Sequence, residues 1–273
     1  MRLSDFSPCL RVFLVFVLTG CASSSPELPY PVFVQADDLP DAFVAGLPGI
    51  RAKEFTGNPQ TRRSSNRLLL PADWKGSTGG SPGKSVEIFV VTGEIVLGSM
   101  VLNSGSYAYI PPAFTGTNFS TTFGALVLYF LDDPDSAAVI QTPLILDSNV
   151  IDWRPVSDDP EDFGLLVKEL RMDPGSGAKT WLLRIDLGAT RGWHKSSAAE
   201  EGYLLSGNYR HSECMNGEVA TDEYVPGGYF HRPPGVVNGG PDAVALSPSI
   251  WYLRRTEKST VESVPACVAV LPE

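Results

Sequence analysis

Three histidines, His194, His211 and His231, are all that the 273 residues contain, so a metal site built on imidazole alone would have to use every one of them. They leave few bases for a serine nucleophile, and no Gly-x-Ser-x-Gly elbow occurs. Cysteine is sparse too: four residues with no Cys-His clustering exclude a structural zinc site. Basic residues are outnumbered, 21 Lys and Arg against 31 Asp and Glu, for a net charge of −10. Nucleic acid, whose phosphates require clustered cations, is excluded as a partner. The Gly-Ser-rich run from Lys75 to Lys84 lacks the Gly-Lys-Ser/Thr ending of a phosphate loop and reads as a strand connection. The acidic pairs Asp132-Asp133 and Asp158-Asp159 lie in turn-like sequence and read as solvated loop charge rather than as glycosidase acids.

Long apolar periods of 3.6 residues are missing beyond residue 21. Short β-rich runs take their place, such as Ile88-Phe-Val-Val91, Leu126-Val-Leu-Tyr-Phe130 and Ile250-Trp-Tyr-Leu253, separated by many of the 26 Gly and 23 Pro. That pattern predicts an all-β fold of jelly-roll or barrel type. It is also written twice. Gly49-Ile-Arg-Ala-Lys-Glu-Phe55 matches Gly164-Leu-Leu-Val-Lys-Glu-Leu170 at an offset of about 115 residues. In the same order, Trp74 matches Trp193, Glu87 through Gly93 matches Glu201 through Gly207, and Gly105-Ser-Tyr-Ala-Tyr-Ile-Pro-Pro112 matches Gly227-Gly-Tyr-Phe-His-Arg-Pro-Pro234. Two barrels in tandem are expected, over 35–147 and 148–273, packed face to face so that strand edges are covered.

The N-terminus places this pair in a compartment. A basic start is followed by the apolar run Val12 to Leu18 and then by Leu18-Thr-Gly-Cys21, a secretory signal too short to span a bilayer as a stable helix. Leu18-Thr-Gly-Cys21 resembles a bacterial lipobox, which implies a signal peptide over 1–20, lipidation of Cys21, and a flexible tether over 21–34. Ala22 after the cysteine resembles lipoproteins sorted to the outer membrane. The expectation is therefore a periplasmic domain held to the membrane through Cys21. Cys214 and Cys267 remain, and in an oxidising compartment they either pair or stay as separate thiols.

Two runs carry chemistry. His194, Ser196, Glu200 and Gly207 have the spacing of the first cupin motif, with Ser196 where a second histidine ligand would stand. Gly227, Pro233, Gly235 and Asn238 have the spacing of the second, with Asn238 in place of its histidine. At these motifs the chain resembles the ChrR-like bicupins, in which two cupin barrels (double-stranded β-helices, or jelly rolls) sit in tandem. The resemblance covers roughly residues 35–255 and implies a fold rather than a reaction, because cupin barrels host enzymes, binders and storage proteins alike.

It further implies a cavity in the second barrel lined by Trp193, His194, Glu200, Tyr203, Tyr229, His231 and Asn238, aromatics with a few polar groups as small-molecule sites require. The residual metal set is His194, Glu200 and Asn238, suited in type to Fe, Mn, Ni or Zn but short of imidazole. Glu200 and Glu201 are neighbours on a strand and face opposite sides; motif spacing selects Glu200, while the repeat selects Glu201. His231 is a further ligand option, and His211, in a polar run, reads as solvated. The first barrel has no histidine and is expected to be metal-free, a structural unit or a binder using Tyr107, Tyr109 and Phe114. Two functions fit: a lipid-anchored binder of a small polar ligand, or a metal-dependent oxygenase or lyase using His194 and Glu200 with Asn238 or His231. Either is compatible with a homodimer.

Overall fold

The computed structural model describes residues 28–44, 46–78, 83–114, 116–157 and 162–268. The signal peptide, Cys21 with the first half of the tether, and the Asp158-Asp159 pair lie outside them. No α-helix occurs among the described residues. The repeat is visible in the strand order. One sheet runs Leu144–Asp147, Ser106–Ile110, Ser85–Leu97, Ala125–Asp132, Arg63–Leu70, Arg51–Asn58, and its counterpart runs Val34–Gln35, Gly228–Arg232, Glu200–Ser206, Ser249–Arg255, Lys179–Ile185, Leu165–Met172. Even the irregularities recur. A bulge between Glu54 and Thr56 answers one between Glu169 and Arg171, and a bulge between Val90 and Thr92 answers one between Leu204 and Ser206. Bulges bend a strand and sharpen its twist, which helps a sheet curl toward closure.

The glycine that ends each first motif is held by geometry. Gly93 and Gly207 have φ of 84° and 83°, and a Cβ at either would lie 2.4 Å from the Gly124 carbonyl oxygen or 2.2 Å from that of Pro248. Only glycine meets both demands.

Because side chains alternate along a strand, every strand of these two sheets has one face inside its barrel and one toward the other barrel. Val86, Ile88 and Val90 point into the first barrel, whose interior is filled with aliphatic side chains together with Trp74, Phe119 and Tyr129. Glu87 and Phe89 point the other way. They join Phe55, Tyr107, Tyr109, Leu128, Phe130, Leu170, Leu182, Tyr203, Tyr229 and Tyr252 in a cluster between the barrels. There Phe55 stacks on Tyr229 with ring centroids 4.1 Å apart, and Phe130 stacks on Tyr252.

At the centre of this interface lies a buried charge network. Glu87 accepts from Thr180 at 2.8 Å and Tyr107 at 3.0 Å, pairs with Arg171, and lies 3.6 Å from Arg254. Arg254 also pairs with Glu201 at 2.7 Å and with Asp132. Asp132, expected to be solvated, is buried because it is paired from both barrels, by Arg63 at 3.2 Å from its own and by Arg254 from the other. Burial alone would raise the Glu87 carboxyl, but Arg171 and Arg254 outweigh it and hold it at about 2.

The barrels also exchange strands. Val34–Gln35, which precedes the first barrel, pairs with Gly228–Arg232 of the second, whereas Leu144–Asp147, which precedes the second, pairs with Ser106–Ile110 of the first. The tether expected over 21–34 is thereby corrected at its C-terminal end. Tyr30 is buried and donates to Glu213 at 3.2 Å, Phe33 packs on Tyr224, and the Phe33 amide donates to the Tyr224 hydroxyl at 3.1 Å. Apolar Tyr30, Val32 and Phe33 drive this docking by covering the second barrel's core.

Candidate ligand cavity in the second barrel

The interiors of the two barrels differ in charge, most directly at one cross-strand pair. In the first, Val86 lies opposite Ile110; at the equivalent cross-strand position in the second, Glu200 lies opposite Arg232. Across the barrel, His194, Asn238 and Glu213 form one row on three adjacent strands, His194 opposite Asn238 and Asn238 opposite Glu213. Between these walls is a cavity of about 40 Å³. Arg191, His194, Glu200, His211, Arg232 and Asn238 supply its polar lining, and Trp251, Tyr209, Tyr224 and Phe230 are prominent on its apolar side. The Trp251 ring meets those of Tyr209 and Tyr224 edge to face, a favoured aromatic arrangement that fixes the wall.

Arg232 spans the cavity. Its Nε donates to Glu213 Oε1 at 2.6 Å, one Nη lies 3.8 Å from Glu200 Oε1, and the guanidinium stacks on Phe230 at 3.6 Å from the ring centroid. Glu200 is held on its other oxygen by Arg255, whose Nε donates at 2.8 Å. Burial would raise the Glu200 carboxyl, but Arg255 and then Arg232 keep it below the usual range. At Glu213 burial prevails over Arg232, and the carboxyl is raised. His194 places Nδ1 2.9 Å from the Gly192 carbonyl oxygen, which makes Nδ1 the protonated nitrogen and leaves Nε2 as an acceptor. Burial, reinforced by Arg191, pushes this imidazole down to about 3, so it is neutral at pH 7.

His194, Glu200 and Asn238 thus meet in the cavity, and of the two neighbouring glutamates Glu200 is the inward one. Four other expected lining residues are corrected. Tyr203 and Tyr229 alternate with Gly202 and Phe230 and so face the other barrel, where Tyr229 donates to Glu201 at 2.6 Å. His231 shares their face, and its amide bonds the Pro31 carbonyl. Trp193 lies outside the lining, against Gly240. In the first barrel, Tyr107 and Tyr109 likewise belong to the interface and Phe114 is exposed. His211, expected to be solvated, is 5% exposed and faces inward with Tyr209 and Glu213. The period-two spacing of those three residues was the available signal. Arg191, Arg232 and Trp251 were missed as well; the repeat sets Arg232 opposite apolar Ile110.

Two buried groups on the cavity wall lack partners. Neither ring nitrogen of His211 meets hydrogen-bond geometry: Asn238 is near enough to influence its titration, and Glu213 Oε1 is 3.6 Å from Nε2. Burial, with Arg232 adding, holds His211 well below its ordinary value. The Trp251 Nε1–H, on a side chain 3% exposed, has no acceptor.

These donors do not suit a transition metal. Glu200 and Glu213 are committed to guanidiniums, the Asn238 amide donates to the Val236 and His194 carbonyls, and the Ser196 hydroxyl is engaged by Ala198 and Ser259. Arg232 puts a positive charge among the ligands a cation would need. No group of three or more His, Cys, Asp or Glu arranged to hold a metal occurs among the described residues.

Two jelly-roll barrels in tandem, each completed by the strand that leads into the other, define this chain as a protein of bicupin architecture. Solved structures share it. A candidate dioxygenase from Nostoc punctiforme superposes with a TM-score of 0.67 at 20% identity, covering 90% of this chain and 89% of that one. The protein Ylba from E. coli gives 0.63 at 15% identity, covering 86% and 94%. Oxalate decarboxylase from Bacillus subtilis gives 0.55 at 13%, covering 85% and 78%. Identities this low establish the shared fold alone. No family model and no curated protein matches the sequence.

Proposed function

We propose that this chain is a lipid-anchored envelope protein of ChrR-like bicupin type whose second barrel binds a small polar ligand without metal chemistry. The observation that carries the reading is Arg232, a guanidinium set between Glu200 and Glu213 where a metal-dependent barrel would need a cation. A cavity of about 40 Å³ is far below the several hundred Å³ that take drug-sized ligands, so the ligand has few heavy atoms. The first barrel, filled with side chains, serves as a folding partner.

Metal analysis of full-length protein purified without a histidine tag, after reconstitution with Fe, Mn, Ni and Zn, tests this. Far less than one metal per chain is expected, unchanged by His194→Ala. Stoichiometric metal that disappears in His194→Ala would sink the reading and favour an oxygenase or lyase using His194 and Glu200. The anchor rests on Leu18-Thr-Gly-Cys21, and the proposed location is the outer membrane, facing the periplasm. In cells fed a fatty-acid analogue, label and membrane association are expected to be lost in Cys21→Ser; label retained in that variant would refute the anchor.

A further inference from the structure

The cavity is out of electrostatic balance by one charge. Arg191 and Arg232 line it with Glu200 alone, Arg255 and Glu213 pair with Glu200 and Arg232 from behind the lining, and both imidazoles are neutral at pH 7. Arg232 and Arg255 are paired with the two carboxylates, whereas no carboxylate pairs with Arg191 among the described residues. Arg191 is half-buried, so its guanidinium keeps part of its hydration while its other side lines the cavity with no carboxylate to meet it.

The unpartnered groups point the same way. Indole Nε1–H only donates, guanidinium only donates, and a neutral imidazole offers one N–H. Trp251 and His211 are both more than nine-tenths buried, line this cavity, and have no partners for those atoms. The carboxylate acceptors on the walls are already taken, Glu200 by Arg255 and Arg232, Glu213 by Arg232 and Tyr30. A cationic ligand would find both carboxylates occupied, while a ligand rich in acceptors and carrying one negative charge would satisfy the open donors, leaving the His194 Nε2 acceptor to be met.

We propose that the cavity takes a small monoanion, a carboxylate of one or two carbons or an oxyanion of that size, bound by Arg191, the Trp251 Nε1–H and the His211 ring. This rests on the small-ligand reading above and adds the chemical class. Arg232 then acts as a built-in counter-cation that keeps Glu200 and Glu213 from repelling the anion. The first barrel cannot do the same, because Val86 and Ile110 stand where the charged pair does in the second.

The test is calorimetric titration of full-length, tag-free protein with sodium formate and sodium acetate, against formamide and acetamide at matched ionic strength. One anion per chain is expected to bind, at least about ten-fold tighter than the amide of the same shape, as charge-assisted hydrogen bonds are the stronger kind. Arg191→Gln should weaken the anion about ten-fold or more, Arg191→Lys less, and Trp251→Phe by a smaller factor. Arg191 makes no ion pair among the described residues, so an unchanged melting temperature in Arg191→Gln separates lost binding from lost fold. Amides binding as tightly as anions, or affinity unchanged in Arg191→Gln, would overturn the anion assignment while leaving a small-ligand site. No saturable binding of either anion would also overturn it. Anion binding that requires an added divalent metal would overturn both.

Discussion

Glu87→Ala is expected to lower the free energy of unfolding at pH 7 by about 3–5 kcal/mol, the usual loss when one partner of a buried charge pair is removed. Glu87 sits on the first barrel, but its charged partners Arg171 and Arg254 belong to the second. Its removal therefore strands cations at the centre of the interface, where Arg171 is 5% and Arg254 1% exposed. Glu87→Gln, which keeps part of the hydrogen bonding from Thr180 and Tyr107, should lose less. The sign of the pH dependence follows from the depressed carboxyl. A group at about 2 in the folded state and near 4.5 unfolded stabilises fully above pH 4.5, and that contribution fades as pH falls toward 2. The span corresponds to about 3 kcal/mol. The gap between wild type and Glu87→Ala, measured by denaturant unfolding, should be widest at neutral pH and narrow progressively as pH falls from 4.5 toward 2. A gap under about 1 kcal/mol at pH 7 would show that aromatic stacking alone holds the barrels together.

Removing the Cys214–Cys267 disulfide is the second large expected effect. It joins residues 53 apart in sequence, and the chain-entropy argument assigns a loop of that length about 4 kcal/mol. The double change to serine should cost about 2–4 kcal/mol. The loss has a local address as well. The strand Val261–Ser263 pairs with His194–Ser196, and the Val264 amide donates to the Trp193 carbonyl, so the disulfide fastens the segment that covers the His194 edge of the cavity. Hydrogen exchange in the double serine variant should rise first at residues 194–196. Protection there equal to wild type would mean that strand pairing holds the edge unaided.

How much of this was legible depended on which faces of a strand are buried. The duplication, the turns at Gly93 and Gly207 and the all-β class follow from local rules, and the structure has them. Glu200 and Glu201 are more instructive. Motif spacing selected one and the repeat the other, and each is right about a different surface, Glu200 for the cavity and Glu201 for the seam with the first barrel. In an ordinary half-buried sheet the polar residues would have marked the outside. Here the outside of each sheet is covered by the other barrel, so Tyr203, Tyr229 and the arginines are buried beside Leu204 and Phe230, and alternation alone cannot assign an inside. His211 and Arg191 were hidden for a further reason. Their roles depend on unpaired nitrogens and uncompensated charge, properties of a three-dimensional neighbourhood rather than of a residue type in a row.

The exchanged strands have a consequence for how the chain is made. Phe33 finds its hydrogen-bonding partner Tyr224 191 residues later, so the segment leading into the first barrel has nowhere to settle until nearly all of the second has emerged. Contacts this distant close slowly, because the loop entropy is lost before any contact repays it. The exposed edge of Ser106–Ile110 is covered sooner, by Leu144–Asp147. The first unit can therefore shield its own edge early, while the second waits for a strand that was synthesised long before it. The oldest part of the chain is among the last to be seated.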